Sequence, residues 1–314
     1  MKKLSAIIYL SVSFSISADP FDDAMEAENE QNYSEALKLY KKSCDMGNGD
    51  GCTNLGLMHF TGRGVKKNDL EAFKLYKKSC DMNNALGCSN LGFMYENGFG
   101  VKQNDSEAIK LYKKSCDMNN ALGCNNLGWM YREGSGVNQN DSEAYKFLKK
   151  SCDMDEARGC ANLGFMYENA YGVKKNISEA LKLYKKSCEL GDGIGCRNIG
   201  NMYVIGNGIA QNYSEARKFF EKSCELDDAH GCSNLGVMYH NGIEVKQNYA
   251  RAFQLFQKSC DTGISDACKN LGFMHENGYG VKKNESEALK LYKKSCSMGN
   301  ATACEYHSEL QKSK

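Results

Sequence analysis

The sequence predicts an all-α solenoid, a one-dimensional stack of helix pairs that needs no single large core. Three observations predict it. The sixteen cysteines fall in pairs that recur every 36 residues, from Cys44 and Cys52 to Cys296 and Cys304. Each period carries two apolar stripes at helical spacing. After Pro20 no proline interrupts the chain. Residues 19–314 are read as a single solenoid of about eight 36-residue helix pairs closed by a C-terminal capping helix.

One period shows why each element forms. Asn104-Asp105-Ser106-Glu107 is a capping-box sequence that opens a helix, here called B. Ala108, Leu111, Tyr112, Ser115 and Cys116 follow the i, i+3, i+4, i+7, i+8 stripe of its buried face. Lys113 and Lys114 sit where the helix dipole favours positive charge. A turn at Asn119-Asn120 leads to helix A of the next period, beginning near Leu122, with Cys124, Leu127, Gly128 and Tyr131 as its expected core stripe. Gly134-Ser135-Gly136-Val137 ends that helix. The ends differ from this pattern. Residues 19–31 form an A-type helix without a cysteine pair, and Tyr306-His307-Ser308 replaces Asn-Leu-Gly near the other end.

Lys and Arg total 40 against 39 acidic residues, so no global field draws nucleic acid or an anionic membrane. Met1-Lys2-Lys3, the apolar stretch Leu4 to Ser17 and the small residues Ser15, Ser17 and Ala18 read as a signal peptide over residues 1–18. The expected location is therefore secreted or periplasmic, with no membrane insertion after cleavage. Sixteen thiols fit an oxidising compartment.

Within a cysteine pair, one residue ends helix B and the other begins the next helix A, and a tight turn can bring such positions within bridging distance. Zinc is the competing reading. Structural zinc sites favour ligands two to four residues apart, a spacing absent here, and the five histidines show no matching pattern. No haem attachment motif is present, and no cofactor is expected.

Asn-Leu-Gly-Phe-Met-Tyr-Glu-Asn-Gly-Phe-Gly-Val (90–101), with Glu107-Ala108 and Lys113-Lys114-Ser115-Cys116 in the helix that follows, resembles the Sel1-like repeat, a longer-looped relative of the tetratricopeptide repeat. With two cysteines at the B-to-A contact and a signal peptide, the chain resembles the Helicobacter cysteine-rich protein family over essentially all of residues 20–312. The resemblance implies a right-handed α/α superhelix and secretion or periplasmic residence. It also implies the disulfides Cys44–Cys52, Cys80–Cys88, Cys116–Cys124, Cys152–Cys160, Cys188–Cys196, Cys224–Cys232, Cys260–Cys268 and Cys296–Cys304. It further implies either penicillin binding with slow β-lactamase activity or modulation of host cells.

The residues themselves point to no catalytic centre. Serine β-lactamase chemistry needs Ser-x-x-Lys with Ser-Asp-Asn and Lys-Thr-Gly elements, and none occurs in the sequence. Ser106 and Lys110 are one residue too far apart. His240 and His275 stand at the end of helix A, where other repeats have Glu or Tyr, and are read as solvated or packing side chains.

The expected ligand is a peptide, a protein or a peptidoglycan-like cell-wall fragment held in a concave groove lined by A helices, with β-lactams as the family alternative and a structural adaptor role as a third. Asn54, Asn90, Asn126, Asn162, Asn198, Asn234 and Asn270 form a ladder of amides that can donate and accept at once. Beside it lie Leu57, Phe93, Trp129, Phe165, Asn201, Val237 and Phe273, while Arg132 and Arg197 vary the middle section. The ladder serves equally well as inter-helix hydrogen bonding. The Lys-Lys pairs at 77–78, 113–114, 149–150, 185–186 and 293–294 read as a solvated outer face, and Asn32 within Glu30-Gln31-Asn32-Tyr33-Ser34 as a possible glycan acceptor.

Overall fold

The computed structural model describes residues 19–312, so the expected signal segment lies outside the described residues. Within them the secondary structure is helical throughout. The order is α1 Phe21–Asn29, α2 Tyr33–Asp45, α3 Gly49–Thr61, α4 Asp69–Asp81, α5 Ala85–Asn97, α6 Asp105–Asp117, α7 Ala121–Glu133, α8 Asp141–Asp153 and α9 Ala157–Asn169. It continues with α10 Ile177–Glu189, α11 Gly193–Ile205, α12 Tyr213–Glu225, α13 Ala229–Asn241, α14 Tyr249–Asp261, α15 Ser265–Asn277, α16 Glu285–Ser297 and α17 Ala301–Lys312. From α2 onward the even-numbered helices are the B helices and the odd-numbered ones the A helices. The described residues fall into two compact units, 19–111 and 112–312.

In the second unit each B helix starts as its sequence dictates. The Asn176 side chain accepts a hydrogen bond from the Glu179 N–H at 3.0 Å, and Asn212 does the same for Glu215 at 3.1 Å. The glutamate half of the capping box is used differently. Glu179, Glu215 and Glu287 pair with Lys182, Lys218 and Lys290 one turn on. They are free to do so because the cap's own N–H already has an acceptor on the preceding A helix. Asn176 N–H donates to Tyr167 O at 3.0 Å, Asn212 to Tyr203 O at 3.0 Å and Asn284 to His275 O at 2.8 Å. That bond draws the loop back onto its A helix.

The A helices are buried more widely than a single stripe. Cys124, Leu127 and Met130, and likewise Cys160, Leu163 and Met166, are 4 % exposed or less. Tyr131, placed by its spacing on the core stripe, is half-buried at its edge and stacks on Phe147 at 5.7 Å. An A helix flanked by B helices and other A helices keeps only a narrow sector open, which is why its sequence is apolar on most sides. Glycine permits the closest approach. A Cβ at Gly164 would lie 2.9 Å from Tyr184 ring carbons and 3.2 Å from Ala180 O.

Repeats are joined by a disulfide and two recurring polar bonds. Cys152–Cys160 and Cys224–Cys232 have Cα atoms 4.5 Å apart, and all sixteen cysteines are bridged in the eight neighbouring pairs. Buried Ser151, Ser223 and Ser295 donate to Ala121 O, Gly193 O and Ser265 O at 2.8–2.9 Å, reaching back to the first turn of the A helix before. Lys150, Lys186, Lys258 and Lys294 donate to the carbonyls of Cys116, Cys152, Cys224 and Cys260 at 2.7–3.1 Å. Lys150, Lys186 and Lys294 thereby differ from the solvated face expected of them. They satisfy carbonyls at the C-terminus of the preceding B helix, which lack partners inside their own helix. Their neighbour Lys149 keeps the expected role, pairing with Asp153 at the surface.

The first unit repeats the scheme. Asn68 caps α4 and its N–H donates to His59 O at 2.8 Å, Ser79 donates to Gly49 O at 2.8 Å, and disulfides join Cys44–Cys52 and Cys80–Cys88. Helix α1 packs on α2, where Glu28 accepts from the Tyr40 hydroxyl at 2.8 Å and from Arg63 at 2.7 Å. No described helix is long and apolar enough to cross a membrane.

Candidate binding face of the A helices

The candidate ligand residues occupy the sector of the A helices that remains outside the core. In the second unit the ladder consists of Asn126, Asn162, Asn198, Asn234 and Asn270, all half-buried. Part of its capacity is spent internally. Asn162 Nδ2 donates to Asn125 Oδ1 at 2.8 Å, Asn125 Nδ2 donates to Asn126 Oδ1 at 3.1 Å, and Asn234 Nδ2 donates to Asn201 Oδ1 at 3.2 Å. The Asn162 and Asn234 amides thus tie one A helix to the one before it.

Beside the ladder runs a row of apolar side chains. Trp129 is 36 % exposed, Val237 37 % and Phe273 37 %, values unusual for large apolar groups in so closely packed a stack. Trp129 meets Phe165 at 6.4 Å between ring centroids, and Phe165 meets Tyr171 at 5.6 Å. Arg132 completes the cluster. Its guanidinium lies 3.9 Å from the Tyr171 ring centroid and 6.0 Å from that of Phe165, with Asp141 at 3.9 Å and Glu133 at 3.8 Å. Three repeats further along, His240 stands in the register of Arg132, ringed by Tyr249, Phe273 and Tyr279 at 5.2–6.1 Å. Burial pushes its pKa below the ordinary histidine value, and the same holds for His275.

Arg197 is held rather than free. Its Nε lies 3.2 Å from an Asp228 carboxylate that is itself almost buried. Across the same face Glu168 accepts from the Tyr184 hydroxyl at 2.7 Å and from Asn207 at 2.9 Å. Desolvation, reinforced by the Glu168 charge, drives the Tyr184 pKa far above the phenol range, so this hydroxyl is a fixed donor. The structure therefore brings Asn126, Trp129, Arg132, Asn162 and Phe165 together on α7 and α9, and Arg197, Asn198, Asn201 and Asn234 together on α11 and α13.

In the first unit Asn90 and Phe93 lie on α5. Phe93 is 38 % exposed and makes an edge contact with Phe60 at 5.9 Å, while Lys67 Nζ sits 5.1 Å from the Phe60 centroid. Leu57 occupies the same register on α3 and is 39 % exposed.

Sequence reasoning passed over Asn125, Tyr171 and Glu168. Asn125 stands where most other repeats have Ser, Thr or Ala, a departure that the sequence displays. Sequence reasoning also passed over a concavity. It is formed by α8, α9 and α10, with Tyr145, Lys149, Asp153, Tyr167, Glu179, Lys182 and Lys186 among its lining. There the Tyr145 and Tyr167 hydroxyls lie 3.1 Å apart, and that hydrogen bond raises the Tyr167 pKa to about 12.

Comparison with known proteins now places this architecture. The Sel1 repeat model matches eight times, over residues 30–48, 49–84, 85–120, 121–156, 157–192, 193–228, 229–263 and 265–300. A putative β-lactamase, HcpC of Helicobacter pylori strain J99, is 44 % identical over 39 residues, a stretch covering 12 % of this chain and 13 % of that protein. The crystal structure of a Sel1 repeat protein from Oxalobacter formigenes aligns over 92 % of this chain and 86 % of its own, with a TM-score of 0.64 and 22 % identity. That of c5321, a protective antigen of uropathogenic Escherichia coli, aligns over 93 % and 71 %, with a TM-score of 0.56 and 25 % identity. Repeat folds of this kind serve protein–protein interaction, and eight disulfides point to an oxidising, non-cytoplasmic compartment. The chain belongs to the Sel1 repeat family, with a cysteine pair bridged at every repeat boundary.

Proposed function

We propose that this protein is exported through a signal peptide at residues 1–18 and binds peptide, protein or peptidoglycan-like ligands on the open sector of its A helices. The observation that carries the reading is the pairing of two rows in the second unit. The amides of Asn126, Asn162, Asn198 and Asn234 run beside the exposed apolar groups of Trp129, Val237 and Phe273 and the half-buried Phe165. Amides that both donate and accept suit an extended backbone, while rigid aromatic groups supply contact area at low entropic cost. Phe93 and Asn90 present the same pair of chemistries in the first unit.

Trp129 is the sole tryptophan of the chain, so its fluorescence reports on this face directly. Titration with pooled muropeptides and with a synthetic peptide library is expected to give a saturable change. Asn126→Ala and Trp129→Ala are each expected to weaken binding by about 2 kcal/mol, roughly thirtyfold. Unchanged affinity in both variants, measured calorimetrically, defeats the assignment. The β-lactam reading comes only with the name of the relative matched over 39 residues. Ser106, which like its counterparts in other repeats is one residue too far from a lysine, sits in the first turn of α6, where a capping sequence calls for it.

A further inference from the structure

The eight disulfides share one connectivity but not one environment. Fourteen cysteines, from Cys44 to Cys268, are buried, the most exposed being Cys224 at 8 %. Cys296 and Cys304 are both only half-buried. The packing around them is also thinner. The last cluster holds Ala288, Tyr292 and Leu310, whereas the cluster around Cys152–Cys160 holds Ala144, Leu148, Leu163, Met166 and Leu183 besides the two sulfurs. Helix α17 packs on α16 and is polar over Glu305 to Glu309. A helix with so little buried apolar surface opens locally at a lower free energy than the rest of the stack.

We propose that Cys296–Cys304 is a thiol–disulfide exchange site, the place where this otherwise inert framework accepts a covalent link to an external thiol. The two sulfurs are not equivalent. Cys296 lies in the last turn of α16, the negative end of that helix, and Cys304 in the first turns of α17, the positive end. A thiolate is therefore better stabilised on Cys304, which makes it the leaving group. The external thiolate forms a bond to Cys296 Sγ as the Cys296–Cys304 bond breaks. The electron pair departs on Cys304 Sγ, which then equilibrates with a solvent proton. One disulfide replaces another and nothing is oxidised overall. Return attack by the Cys304 thiolate on Cys296 Sγ releases the external thiol and restores the bridge.

The test uses the folded full-length protein in two arms, one with reduced glutathione and one with a thioredoxin whose resolving cysteine is replaced by serine. Free thiols are then blocked with an alkylating agent and every cysteine peptide is mapped by mass spectrometry. The expected result is a mixed disulfide on Cys296 and an alkyl group on Cys304, appearing about tenfold or more faster than at any other pair. An adduct in the glutathione arm alone assigns a small thiol as the exchange partner, and an adduct in both arms extends the assignment to protein thiols. Adducts spread evenly over the eight pairs, appearing first at Cys224–Cys232, or carried by Cys304 overturn the proposal. The double variant Cys296→Ala/Cys304→Ala, checked by circular dichroism for retained helix, is expected to lose the adduct, and persistence of equally fast labelling elsewhere refutes the site.

Discussion

Each repeat of the second unit is entered and left through junctions of opposite construction. The turn from α8 into α9 is three residues long, 154–156, and is crossed by the Cys152–Cys160 bridge. The loop from α9 into α10 is seven residues long, 170–176, and has no covalent tie. It is held by a left-handed cap at Ala170, by the Asn176 N–H on Tyr167 O, and by the fit of Gly164 against Tyr184. The covalent junction limits how far neighbouring repeats can separate in the unfolded chain, whereas the looped one depends on shape. A solenoid so built resists fraying between repeats, and its weak points should lie within them.

The contrast can be broken at either junction. The largest effect is expected from Cys152→Ala/Cys160→Ala. Opening a nine-residue ring removes about 2.5 kcal/mol of stabilisation, and hydrogen exchange should localise the loss to α8 and α9. Gly164→Ala comes next. Its Cβ would press on the Tyr184 ring and on the immovable Ala180 carbonyl, at a cost of about 2 kcal/mol. Here exchange should quicken in α9 and α10 while Cys152–Cys160 stays intact. If Gly164→Ala loosens α8 and α9 instead, the two junctions are not independent. The smallest change sharpens the comparison in the stabilising direction. Ala170 holds φ +60°, where the corresponding caps, such as Gly134 and Gly206, are glycine. Ala170→Gly is expected to add about 1 kcal/mol, read as a higher guanidinium midpoint, since left-handed backbone penalises a side chain there.

Much of this was legible before the structure. The period, the Asn caps and the B-helix stripe follow from local chemistry, because Asn176 and Glu179 act within one turn and Ala180, Leu183 and Tyr184 share one face. What escaped depends on neighbours along the stack. Met130 and Met166 read as off-stripe residues, yet they are buried, because an A helix has partners on most of its sides. Lys150 and Lys186 read as surface charges and instead close a carbonyl one repeat away. On the candidate face the ladder itself was visible in the pattern. The internal use of Asn162 and Asn234, and the Arg132 guanidinium laid on Tyr171, required distances that periodicity does not carry.

The serine and lysine links between repeats each reach back by their own fixed interval, Ser151, Ser223 and Ser295 by 30 residues and Lys150, Lys186, Lys258 and Lys294 by 34. Every module consequently presents the same socket to its successor and the same plug to its predecessor. Duplication or loss of a whole cassette leaves a seam whose chemistry matches its neighbours, so the length of such a chain can change over generations without any new joint having to evolve.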